Sequence, residues 1–101
     1  MANVVFSVNE IPIRLTEERW RHIVDEHGEL SGMRAAVISV VAKPTGIYAG
    51  NAGEFLAVQE IEPGKWLVVV YRETNRNDGF VITAFLTRRK RSLDRRNKLW
   101  P

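Results

Sequence analysis

WLVVVYR (66–72) is an almost unbroken apolar run, FVITAFLT (80–87) is a second, and the polar stretch ETNRNDG (73–79) lies between them. A short, Val-rich run without alternation reads as a strand covered on both faces. The polar stretch reads as the turn that joins two such strands. Upstream, EPGK (62–65) is a second turn, NAGEFLAVQEI (51–61) a turn followed by a strand, and TGIYAG (45–50) a short strand. Four strand candidates joined by short turns make an antiparallel meander.

Helices precede this meander. Thr16 is a good N-cap, and Glu17 and Glu18 follow it in the first turn, where the helix dipole favours acids. Trp20, Ile23, Val24 and His27 fall on one arc of a helix at about 100° per residue. Gly28 suits the position just past a helix end, so the spacing predicts a helix over 17–27. A second helix is expected over 32–42, capped by Ser31 and stopped by Pro44. Its sequence MRAAVISVVAK (33–43) is apolar on nearly every side and would also serve as a buried strand; its length favours helix. Before both, VVFSVNEIPIRL (4–15) reads as one or two short strands, with Pro12 pointing to an edge. The expected fold is α+β: two N-terminal helices on one face of a twisted, mainly antiparallel four-stranded sheet. It forms a single domain over 1–101, with its core at about 11–87 and a basic C-terminal tail at 88–101.

The chain has 101 residues, 45% of them hydrophobic and 27% charged, ordinary values for one globular domain. It holds no cysteine, so no disulfide and no thiolate metal site is expected. No apolar run approaches the roughly 20 residues of a membrane span, and the start lacks the pattern of a secretory signal. These readings fit a cytoplasmic protein with no membrane partner. The net charge is +3, unevenly spread. RRKRSLDRRNKLWP (88–101) carries seven basic residues and one acid, a segment charge of +6, and the rest of the chain is −3. Such a segment attracts polyanions, with binding that weakens as salt rises. Arg88, Arg89, Lys90, Arg91, Arg95 and Arg96 are its candidate nucleic-acid contacts; a solvated helix or a contact with an acidic partner would use the same charge.

The two histidines, His22 and His27, both lie in ERWRHIVDEHGEL (18–30). Five residues apart on an unbroken helix, they diverge by about 140°. With no cysteine and no third histidine, a histidine metal site is not expected. His27 shares the apolar arc and should face the sheet, as an acid–base group or as a core-edge histidine bonded to a carbonyl. His22 points away, toward Glu26. In the late strands, Thr83 interrupts an apolar run and alternation places it with Val81, Phe85 and Thr87. Tyr71 and Arg72 close their strand on opposite faces. Arg72 suits a phosphate, or a salt bridge to Glu73. Neither a nucleophile elbow nor a phosphate-binding glycine loop occurs.

LTEERWRHIVDEHGEL (15–30), VAKPTGIY (41–48), WLVVVYRE (66–73) and FVITAFLT (80–87) together resemble the phage-associated barnase–EndoU–colicin–RelE-like nucleases, over about residues 11–87. Gly28 stands where related sequences often carry proline. The resemblance implies the barnase/RelE-like fold and a metal-independent endoribonuclease of toxin type, working without cofactors. In such an enzyme the 2′-hydroxyl attacks the adjacent phosphate and leaves a 2′,3′-cyclic phosphate. By the same resemblance His22 and His27 match the helix histidines and Thr83 the polar strand residue. Arg72 is the phosphate cation, with Arg88 its rival. His27 is the acid–base group, and His22 serves to position the helix. RNA is the implied partner, with a cognate antitoxin protein and a homodimer as further partners. Two other readings stay open. One is a non-catalytic nucleic-acid-binding domain that uses the basic segment with Trp66, Phe85 and Trp100 as stacking groups. The other is a RelE-fold toxin that inhibits a protein target.

Overall fold

The computed structural model describes residues 3–101. In chain order the elements are β1 (Asn3–Phe6), β2 (Pro12–Leu15), α1 (Glu17–Glu26), a 3-10 turn (Gly28–Leu30), α2 (Arg34–Ala42), β3 (Gly46–Ala49), β4 (Phe55–Glu62), β5 (Lys65–Asn75), β6 (Asp78–Thr87), α3 (Lys90–Asp94) and β7 (Lys98–Trp100). The strands form one sheet in the order β1-β2-β6-β5-β4-β3-β7. Every pair is antiparallel except β2 with β6, which run parallel and meet at Arg14 and Phe80. No helix among the described residues is long and apolar enough to cross a membrane.

The four-stranded antiparallel sheet under two helices is therefore corrected to a seven-stranded mixed sheet with three short helices. The expected meander survives as its centre, β3 through β6. Three further strands extend it. β2 buries Ile13 and Leu15 and exposes Arg14, and it lies along the outer side of β6. Pro12 marks no edge: it is the first residue of β2, where a missing N–H is tolerated, and β1 lies outside it. At the other end the basic tail is no tail. Leu93 of α3 is 3% exposed, buried against the sheet, and β7 pairs with β3. Eight charged residues in fourteen hide that short helix and strand from any periodicity.

The helices sit on one face, and α3 lies on the other. Ile23, Leu30, Val37, Val40 and Val41 pack on Leu67, Val69 and Tyr71 of β5 and their neighbours. On the second face Leu93 packs with Tyr48, Leu56, Val58, Val68 and Val70. Alternate residues of β5 thus feed two cores, which is why WLVVVYR shows no alternation. Tyr71 is fully buried, and its hydroxyl has no hydrogen-bond partner among the described residues. Burial pushes its phenol far above the ordinary tyrosine value, with the charge of Glu73 adding to the shift. An unsatisfied buried hydroxyl costs roughly 1–3 kcal/mol. Tyr71→Phe removes only that group, so urea unfolding should show a gain of about 1 kcal/mol; a loss of that size would mean the hydroxyl is in fact bonded.

The helix boundaries shift for local reasons. Thr16 caps α1 as expected, its Oγ1 accepting the Arg19 N–H at 3.1 Å. The helix ends at Glu26; His27 is the C-cap with φ −132° and ψ 72°, and Gly28 opens the 3-10 turn. The left-handed glycine is Gly32, at φ +83°, so α2 starts at Arg34 with Met33 as an unassisted N-cap, and Ser31 instead closes the 3-10 turn, its N–H donating to the Gly28 carbonyl. In the β5–β6 hairpin, Val70 faces Thr83 while Tyr71 faces Val81, leaving Ile82 as an extra residue. This bulge separates two residues that simple alternation places together. Val81 joins the helix-side core, and Thr83 turns to the second face with Phe85.

Candidate functional site

The second face of β6 presents Thr83, Phe85 and Thr87, each half-exposed. Beside them the outer edge of β6 is no longer paired, because β2 meets it only at Phe80. α1 and the 3-10 turn also contact β6. Leaving helical geometry at His27 carries its ring over this margin, to 6.2 Å from the Phe85 ring. His27 is 32% exposed, and its Nδ1 faces Glu29 Oε2 at 3.9 Å. That distance is electrostatic contact rather than a hydrogen bond. Glu29 is not among the expected site residues; a carboxylate two residues after a helix-ending histidine is the signal that finds it.

The other expected catalytic residues are placed as follows. His22 stays within α1 and is exposed, so the helix end falls between the two histidines, directly before the second. Thr83 shares the second face with Phe85, about 7 Å along the strand. Arg72 opposes Phe80, four residues along β5 from Val68, the partner of Phe85; that is about 13 Å. Its Nη2 donates to the Ala52 carbonyl at 2.9 Å, so it braces the β3–β4 loop. Glu73 does not pair with it; it accepts from Ser7 Oγ at 2.6 Å and Asn9 Nδ2 at 3.1 Å. The structure therefore sets His27 against Phe85, with Thr83 two residues along the same face of β6, and holds Arg72 apart.

β6 leads directly into the basic segment. Arg88, Arg89, Lys90, Arg91 and Arg95 border, with Ser92, an open concavity of about 490 Å³. Arg96 turns elsewhere: its Nη1 donates to the Ala49 carbonyl at 3.2 Å and to Asn51 Oδ1 at 3.0 Å. Lys90 Nζ bonds Asp94 Oδ1 at 2.7 Å. That hydrogen bond raises the lysine above its ordinary value and holds the aspartate below its own. Of the aromatic residues proposed for stacking, Trp66 has Lys90 Nζ 5.2 Å from its ring centre and Phe85 lies against His27. Trp100 is exposed on β7. Among the described residues no three His, Cys, Asp or Glu side chains stand close enough to hold a metal ion. Comparison with family models, with curated proteins and with solved structures finds no match.

Proposed function

We propose that this chain is a metal-independent endoribonuclease. The observation that carries the reading is the placement of His27. It lies a third exposed, beside Phe85 and Glu29, at the margin of β6, the strand that runs into the basic concavity. Phe85 and Arg88 are three residues apart, roughly 10 Å along an extended chain, a span that neighbouring nucleotides bridge.

The proposed step is internal transfer at phosphorus. The bond from the 2′-oxygen to phosphorus forms and the bond to the 5′-oxygen breaks. One proton leaves the 2′-hydroxyl and one arrives on the 5′-oxygen, with no redox change and no water consumed. Imidazole is the side chain suited to such transfers near neutral pH. With the Glu29 carboxylate facing Nδ1, Nε2 is assigned to take the proton from the 2′-hydroxyl and to pass it to the departing 5′-oxygen. The Thr83 hydroxyl is assigned to a phosphoryl oxygen; Arg88, roughly 16 Å further along the chain, is assigned to a neighbouring phosphate, and Arg72 is engaged with Ala52. The arginines of the concavity hold the backbone of the RNA.

The test is incubation of the pure protein with total RNA and with single-stranded DNA in EDTA. Scission of RNA alone, leaving 2′,3′-cyclic ends, is expected. Intact RNA that is retarded on a gel would instead establish a binding domain, a reading the concavity alone would satisfy. Intact and unbound RNA would refute both.

A further inference from the structure

Lys90 borders two concavities. The second is a pocket of about 130 Å³ whose walls include Thr45, Gly46, Tyr48, Trp66 and Lys98. It lies on the second face, where β3 is paired with β7 and α3 crosses the sheet. Lys98 belongs to the edge strand, where a lysine ordinarily extends into water. Here, while remaining exposed, it turns across the sheet toward Tyr48. Its Nζ stands 5.9 Å from the Tyr48 ring centre, and its Cε lies 3.0 Å from the point a β-carbon on Gly46 would occupy. The missing side chain of Gly46 is thus the space through which Lys98 reaches the pocket.

The charges do not cancel. Lys90 is matched by Asp94 at 2.7 Å. Lys98 Nζ has no carboxylate within 4.0 Å among the described residues. With two lysines and the one aspartate that faces them, the pocket carries one net positive charge beside two aromatic walls. A stacked base is disfavoured, because ammonium groups already sit near the Trp66 and Tyr48 rings. A cation is disfavoured by the two lysines. A group with a single negative charge fits, and a phosphodiester is such a group.

We propose that this pocket binds one phosphodiester of an RNA strand whose adjoining backbone lies in the larger concavity, with Lys98 as its ion partner. Lys90 is the point at which the two concavities meet, so one continuous strand reaches both. The proposal rests on the RNA reading, and its test separates the two. The probe is a 2′-O-methyl RNA oligonucleotide, which binds but offers no 2′-hydroxyl for attack. Its affinity is measured across a salt series for the wild type, Lys98→Gln and Lys98→Arg. Each phosphate contact on a single strand adds about 0.7 to the slope of log affinity against log salt. Lys98→Gln should bind about fivefold more weakly at low salt, with a slope shallower by about 0.7, and Lys98→Arg should restore both. Wild-type binding with the slope unchanged in Lys98→Gln would overturn the pocket and leave the RNA reading standing. No wild-type binding would overturn both. A Gln variant weakened without a slope change, and not rescued by Arg, would make Lys98 a packing residue and defeat the proposal.

Discussion

His27→Ala is expected to lower EDTA-resistant RNA cleavage by about 10²–10⁴-fold, the range for loss of a positioned proton carrier. Affinity for uncleavable RNA and thermal stability should stay near wild type. The side chain is a third exposed and makes no hydrogen bond among the described residues, so its loss opens no sealed cavity. His22→Ala is the matched control. It lies on the same helix and is exposed, but it precedes the helix end and lacks the contacts with Phe85 and Glu29. Its cleavage should stay within a few-fold of wild type. The comparison is read from single-turnover rates on one labelled RNA. Full cleavage by the His27 variant would remove His27 from the mechanism. Equal losses in both variants would return His22 to the catalytic pair that the sequence resemblance implies.

The sequence made the centre of this fold legible because long apolar runs and polar turns are local signals. β5, β6 and the turn between them are read directly from WLVVVYR, ETNRNDG and FVITAFLT. The sheet edges are illegible for the opposite reason. β7 is three exposed residues within a basic stretch, and only pairing with β3 makes it a strand. VVFSVNEIPIRL does read as short strands, as β1 and β2 are, but the place of β2 in the sheet is hidden because its parallel partner lies more than sixty residues away. At the site, His27 was legible as a helix-end residue facing the sheet. Its exact direction was not, since that depends on a helix ending one residue before it. Thr83 was assigned to the right strand but grouped with the wrong neighbour. One bulge residue, Ile82, reverses the alternation, and nothing in the composition of FVITAFLT announces it. Arg72 shows the converse limit. Its type suits a phosphate, yet the Ala52 carbonyl that engages it lies on a loop whose approach only the folded chain reveals.

Gly79→Ala is expected to destabilise the fold by about 3 kcal/mol or more, although it adds a single methyl group. Gly79 is buried at the start of β6, opposite Glu73, beside the place where β2 joins the sheet. A β-carbon there would stand 2.5 Å from the Arg72 carbonyl oxygen and 2.6 Å from Ile13 Cδ1. The first obstacle is backbone within a central hairpin, and the second is a fully buried side chain, so neither yields cheaply. The Arg14–Asp78 ion pair, with contacts at 2.8 and 3.0 Å, fastens β2 to β6 at the same point and resists their separation. Gly28→Ala is the control: nothing lies within 4 Å of its added carbon, and its φ is not in the left-handed region, so its effect should stay near zero. Chemical denaturation of the two variants measures the difference. If Gly79→Ala unfolds at the wild-type midpoint, the close packing of β2 on β6 is wrong. The consequence reaches the site, because β2 ends at Leu15 and α1 begins at Glu17. Whatever displaces β2 displaces the helix whose end carries His27, so cleavage by the surviving folded fraction of Gly79→Ala should fall as well. Tyr71→Phe keeps the ring that packs with Ile13, Leu15 and Ile23 and loses only the hydroxyl, so it should alter stability without altering the rate.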